Sequence, residues 1–184
     1  MAKSRKRNTK KKSKNSREIN WSQLYNSTIH FFKNERVQFI IGVLTAFAGI
    51  FILLSIFSFF FTGSSDSSIV NSLSYKEYVN YKSEETAKPE ISNWMGSAGA
   101  YISNNLVNNS FGVTSILIPF LIVIIGLKAM KVSKMKTTKI FFITTLGLIM
   151  GSITEAFIFG YISPLSHIKW GGTHGAEMEG KLYS

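Results

Sequence analysis

"VQFIIGVLTAFAGIFILLSIFSFFF", Val37 to Phe61, runs for 25 residues without a charge. At about 1.5 Å per residue, a helix of that length outruns the ~30 Å hydrocarbon core of a bilayer and spans it with some tilt. A secretory signal would carry an apolar region of roughly 7–15 residues. This run is longer, begins late and lacks a clear A-x-A cleavage pattern, so it reads as a retained anchor. Two further runs follow. "FGVTSILIPFLIVIIGL", Phe111 to Leu127, is near the shortest length that spans. Pro119 falls in its middle and is expected to kink it, freeing the carbonyl of Ser115 for a hydroxyl or a packed neighbour. "IFFITTLGLIMGSITEAFIFGYIS", Ile140 to Ser163, is the third. The fold class is therefore all-α integral membrane, with three transmembrane helices: 37–61, 111–127 and 140–163.

Composition alone would not show this. The chain has 184 residues and is 45% hydrophobic, a fraction that also suits a soluble protein; placement decides the matter. There is no Cys, which excludes a disulfide framework and a thiolate metal site. Net charge is +11 and unevenly placed. Residues 1–36 hold eleven Lys/Arg against Glu18 and Glu35, and the linker 128–139 holds five Lys and no acid. The 62–110 segment holds three Lys against five acids, and the 164–184 tail two of each. Lys/Arg excess marks the cytoplasmic side of a membrane. The N-terminus and the linker are expected inside, with 62–110 and 164–184 outside. The block 1–18 repels itself and reads as a disordered cytoplasmic tail, able to touch anionic lipid or nucleic acid.

Two amphipathic stretches flank the spans. In 19–36, Trp21, Leu24, Tyr25, Ile29 and Phe32 fall on one side, which suits a juxtamembrane helix. In "NWMGSAGAYISNNLVNNSFG", 93–112, helical spacing sets Ile91, Trp94, Met95, Ala98, Tyr101, Ile102 and Leu106 on one face. Asn93, Gly96, Ser97, Ala100 and Asn104 form the other. Trp94 and Tyr101 favour the headgroup zone, so a helix over about 91–107 is expected along the membrane–water interface, leading into the second span. The stretch 62–90 is Ser-rich and reads as loop, with one ordered piece around "YKEYVNY".

Glu155 lies inside the third span, and an intramembrane carboxylate is costly enough to be a functional candidate. Gly147, Gly151 and Glu155 recur at i+4 and share a face, with the two glycines permitting close helix approach. A packing seam that hydrogen-bonds Glu155, a proton- or ion-coupled role, and outward snorkelling are the three readings of that face. "WGGTHGAEMEG", 170–180, lacks the G-x-x-x-x-G-K-[ST] spacing of a phosphate loop. His167 and His174 lack a sufficient ligand set for zinc. No catalytic constellation is present, so no catalytic or metal residue is assigned.

The order of these parts resembles the N-terminal membrane domain of the FtsK/SpoIIIE family of DNA translocases. There an N-W-x-G-x-x-G-A segment leads through a Gly into a Pro-containing span ending in G-L. The matching positions are Asn93, Trp94, Gly96, Gly99, Ala100, Gly112, Pro119, Gly126 and Leu127. A G-G-x-x-G element follows, matched by Gly171, Gly172 and Gly175 after Trp170. The resemblance implies a four-span anchor in the bacterial inner membrane at the division septum, followed by a linker and a hexameric ATPase that pumps double-stranded DNA. It implies septal protein partners and a homo-oligomer besides membrane lipid. DNA, ATP and Mg would belong to the motor, and this chain is expected to take no cofactor and to be no enzyme. A fourth span is expected after Ser184, which would make these residues a truncated piece, a broken frame or a short relative. A stand-alone membrane protein or transporter subunit built on Glu155 is the alternative, and a tethered nucleic-acid binder is a third.

Overall fold

The computed structural model describes residues 25, 29, 31–81, 88–133, 136–159 and 167–182. The tail 1–18, most of the segment 19–36 and residues 160–163 of the third apolar run lie outside them. The described residues form helices and no strand. Three helical stretches are long and apolar enough to cross a membrane: Glu35–Ser72, Gly96–Ala129 and Thr137–Phe159. The chain has an all-α membrane fold.

Helix α1 spans Glu35–Ser72. It starts at Asn34, whose side-chain oxygen accepts the Arg36 amide at 3.0 Å, with Glu35 favourably placed in the first turn. The apolar run predicts an end near Phe61, but the helix continues through "TGSSDSSIVNS". Serine is a weak helix former because its hydroxyl competes for the backbone. Here the hydroxyls bond back within the helix, Thr62 to the Ser58 carbonyl at 3.1 Å and Ser65 to that of Thr62 at 2.8 Å. Tertiary contact supplies the rest: Asp66 is 2% exposed and accepts the Ser92 amide at 2.7 Å. The 38 residues reach roughly 57 Å at the usual rise, so α1 projects well past a ~30 Å hydrocarbon layer. Leu73 turns extended, and a capping box between Ser74 and Glu77 opens the short α2, Tyr75–Val79, the ordered piece expected at "YKEYVNY".

Helix α3 covers Gly96–Leu106, starting later than the 91 expected. It packs against α1 through its small-residue side. Gly99, Ala100, Ser103 and Asn104 are buried, while Trp94 is 58% exposed. Small residues win this face because they let the two backbones approach: a Cβ on Gly99 would already sit 3.0 Å from Ser55 Oγ. From α3 the chain stays helical but changes pitch, through a π turn at Val107–Phe111 and a 3-10 turn at Gly112–Ile116, into α4 at Leu117–Ala129. Pro119 is thus the third residue of α4. In a first turn its missing N–H forfeits no bond, so the expected mid-span kink is replaced by irregular backbone before it. The Ser115 hydroxyl donates to the Leu106 carbonyl across that irregular stretch.

Helices α1 and α4 form the main pair. Gly42, Ala46 and Gly49 of α1 face Gly126, Val123 and Pro119 of α4. A Cβ on Gly126 would lie 2.6 Å from the Ala46 nitrogen and 2.7 Å from the Gly42 carbonyl oxygen. Helix α4 closes on Lys131, at φ 60, with the Val132 amide returning to the Leu127 carbonyl at 3.0 Å, a Schellman ending. The Lys131 ammonium pairs with Glu35, tying the two helix ends together at the surface. Helix α5, Thr137–Phe159, packs on the 3-10 turn, leaving Phe141, Phe142, Leu146 and Met150 exposed in the manner of a lipid-facing side. Within the Gly-rich tail, Gly172–Leu182 folds as α6 on α5. Ile56, Phe59 and Val107 make the buried apolar centre where α1 meets the π turn.

Candidate functional site

Two backbone segments converge on one carboxyl group carried by a third. Glu155, half-buried on α5, accepts the Val113 amide at 2.9 Å, the Thr114 hydroxyl at 2.6 Å and the Gly171 amide at 3.1 Å. Each of these contacts donates to a carboxyl oxygen of Glu155. Glu155 therefore fastens α5 to the start of the 3-10 turn and to the loop before α6. Its neighbour one turn back does the same for the other side of that loop. The Ser152 hydroxyl donates to the Gly171 carbonyl at 2.6 Å and lies 3.2 Å from His174 Nδ1.

Glycine makes this convergence possible. Gly112 has φ 72 and ψ −151, a backbone conformation reserved for glycine. A Cβ there would meet Glu155 Oε2 and the Gly171 nitrogen, each at 2.4 Å. Gly171 and Gly172 also take positive φ, and Cβ atoms on them would strike the carbonyls of Ser152 and Ser110 at 2.4 and 2.3 Å. Gly175 faces the same Ser152 carbonyl. Along α5, Gly151 lies against Thr114 and Gly147 against Leu117. The face of Gly147, Gly151 and Glu155 thus meets the beginning of the second span.

A ladder of amides continues from this junction toward α1. Asn108 donates to Asn104 Oδ1 at 2.8 Å and to the His167 carbonyl at 3.1 Å, and accepts the Lys169 amide at 2.8 Å. Thr173 donates to the Asn109 carbonyl at 2.7 Å. Trp170 stacks on Phe159 with centroids 4.6 Å apart. Asn93, Trp94, Gly96, Gly99 and Ala100 lie elsewhere, at the α1–α3 contact. Asn93 donates to the Ser55 carbonyl at 3.2 Å and accepts the Met95 amide at 3.0 Å, and the Trp94 amide donates to Ser58 Oγ at 2.9 Å. The Trp94 ring stacks on Phe61 at 6.0 Å. Pro119 and Gly126 belong to the α1–α4 seam, and the Leu127 carbonyl to the end of α4. The residues singled out in the sequence therefore divide among three contacts.

Several participants carry no family pattern. Ser55, Ser58 and Asp66 supply the α1 side of the α3 contact, and Gly42, Ala46 and Gly49 supply its α4 side. Asp66 lies beyond the apolar run; for the others the only signal is small or polar residues at i, i+3, i+4 and i+7 inside it. Asn108, beside a span, and Ser152, inside one, had no signal beyond being polar. Among the described residues, no cluster of His, Asp and Glu is placed to hold a metal.

A family model for the 4TM region of the DNA translocase FtsK/SpoIIIE matches residues 34–183. The chain belongs to that family. The matched interval contains all three contacts of this FtsK/SpoIIIE membrane region: the α1–α3 face, the α1–α4 seam and the Glu155 junction. It is the family's membrane region, not its motor. Comparison with curated proteins and with solved structures yields no match.

Proposed function

We propose that this chain anchors a DNA translocase in the bacterial inner membrane at the division septum, with its N-terminus in the cytoplasm. The family match over residues 34–183 carries the reading. A motor that pulls on DNA pulls back on its anchor with equal force. An anchor of separate helices would transmit that load poorly. The Glu155 junction answers the need, because one side chain cross-links α5 to two loops through three hydrogen bonds. Trp94, exposed and stacked on Phe61, sits with its helix at the membrane–water interface, and the exposed flank of α5 meets lipid or another copy in a homo-oligomer, a hexamer by the family's motor. Segments on the side away from Lys131 offer a surface to septal proteins. ATP, Mg and DNA are handled by the family's motor domains, not by these helices.

A fluorescent protein fused ahead of Met1 in the full-length protein tests this in dividing cells. Enrichment in a band at midcell is expected, persisting when the motor's ATP site is disabled. Uniform fluorescence around the membrane of constricting cells would overturn it.

A further inference from the structure

Where the end of α1, the start of α2 and the flank of α3 come together, a groove of about 620 Å³ opens, within the ~300–1,000 Å³ usual for small-molecule sites. Among the described residues, no charged side chain lines it. Its polar wall is made of amides and phenols. Asn105 and Asn109 are exposed, and their side chains make no hydrogen bond within the described residues. Tyr75 is 45% exposed, its ring set edge-on to that of Tyr101 at 5.4 Å, with its hydroxyl likewise unengaged there. Tyr101 is fixed by donating to the Leu73 carbonyl at 2.8 Å, so the aromatic corner is held in place before any ligand arrives. Val70 and Ile102 add apolar surface beside the amides.

We propose that this groove binds a neutral, N-acetylated saccharide. An Asn amide offers a donor and an acceptor side by side, the pattern that adjacent sugar hydroxyls or an acetamido group complete. A fixed tyrosine ring presents a face for the C–H side of a pyranose, and Val70 and Ile102 suit the acetyl methyl. The uncharged wall disfavours nucleotides and phosphorylated headgroups, which need cations or helix-end amides. Access fits as well. Asn71, at the groove's edge, lies ten residues or roughly 15 Å along α1 beyond Phe61, clear of the hydrocarbon layer and on the side away from Lys131. Such a sugar occurs in a cell-wall glycan strand or in the head of a glycolipid, and the site chemistry is the same for both.

The test uses the full chain in lipid nanodiscs and does not depend on where the protein localises. An N-acetylglucosamine tetramer is titrated in solution by calorimetry, and the same sugar is separately carried on a disc lipid. Saturable binding in either form is expected; the solution form points to a glycan strand, and the lipid form alone to a glycolipid. Tyr75→Ala and Asn109→Ala should each weaken binding by about tenfold, and maltotetraose, which lacks acetamido groups, should bind about tenfold more weakly than the acetylated tetramer. Both substituted positions are exposed, so unchanged helicity by circular dichroism establishes that the variants are folded. Silence from both forms of the sugar would overturn the proposal. So would equal binding by maltotetraose or by a neutral Gly-Ser peptide, or full affinity in both folded variants.

Discussion

Gly112→Ala puts a methyl where no atom fits. Its Cβ would lie 2.4 Å from Glu155 Oε2, 2.4 Å from the Gly171 nitrogen and 2.7 Å from the Gly171 Cα. Holding alanine at φ 72 and ψ −151 costs about 1–3 kcal/mol by itself. Relieving the overlap moves the carboxyl group away from the Val113 and Gly171 amides, now at 2.9 and 3.1 Å, and each amide left without its acceptor costs about 1–3 kcal/mol. The lower ends of these three terms already add to about 3 kcal/mol, at the upper end for a single substitution. Gly96→Ala is the matched control: φ is 67, but nothing lies within 4 Å of the new Cβ, so only the backbone term of about 1–2 kcal/mol remains. Thermal unfolding of the chain in nanodiscs, followed by circular dichroism, separates them. At about 2–4 °C per kcal/mol, about 3 kcal/mol lowers the Gly112→Ala midpoint by roughly 6–12 °C, a larger fall on the same slope than the roughly 2–8 °C of Gly96→Ala. The double variant Gly112→Ala, Glu155→Ala should be less destabilised than the sum of its parts by about 1 kcal/mol, since the two groups collide. Equal drops for the two glycine variants, with additive energies in the double, would refute the junction argument.

Glu155→Gln keeps the shape but turns an NH₂ toward donors, and should lower stability by about 2 kcal/mol by the same unfolding midpoint. Gly126→Ala should wedge α1 from α4, with its Cβ 2.6 Å from the Ala46 nitrogen, and cost about 1–3 kcal/mol, whereas Gly180→Ala, with open space around it, should be neutral or mildly stabilising. The Ser74 side chain and backbone hold the Glu77 carboxyl below the usual carboxylate range. A depressed value means the capping box contributes above the unfolded carboxyl's pKa and loses its contribution as pH falls through the folded one. Ser74 amide protection against hydrogen exchange should therefore drop on acidification through that window, and Glu77→Ala, which removes the acceptor of that amide, should abolish the dependence.

The spans were legible because apolar length is all a bilayer asks for, and Val37–Phe61 meets that condition from sequence alone. What followed was not legible, for a common reason. The Ser-rich extension of α1 is held by Asp66 receiving the Ser92 amide, a contact across 26 residues that no local pattern announces. Periodicity set the apolar side of α3 toward the membrane–water interface but did not show that its small side, Gly99, Ala100 and Ser103, packs on α1. Pro119 was visible as a breaker, but not that the π and 3-10 turns before it would place it in a first turn. Glu155 stood out as a costly charge among apolar residues, and Gly112 and Gly171 stood out as family glycines. That they answer one another depends on loops folding back onto α5, which the sequence does not display.

Which ends of the helices face the cytoplasm is directly measurable, because the sequence contains no cysteine. Ser68→Cys, on the exposed side of α1 beyond the apolar run, and Lys136→Cys, at the start of α5, are exposed single sites. A membrane-impermeant maleimide applied to intact cells should label Ser68→Cys at once and Lys136→Cys only after lysis. Labelling of Lys136→Cys in intact cells, with Ser68→Cys protected until lysis, would contradict a cytoplasmic N-terminus.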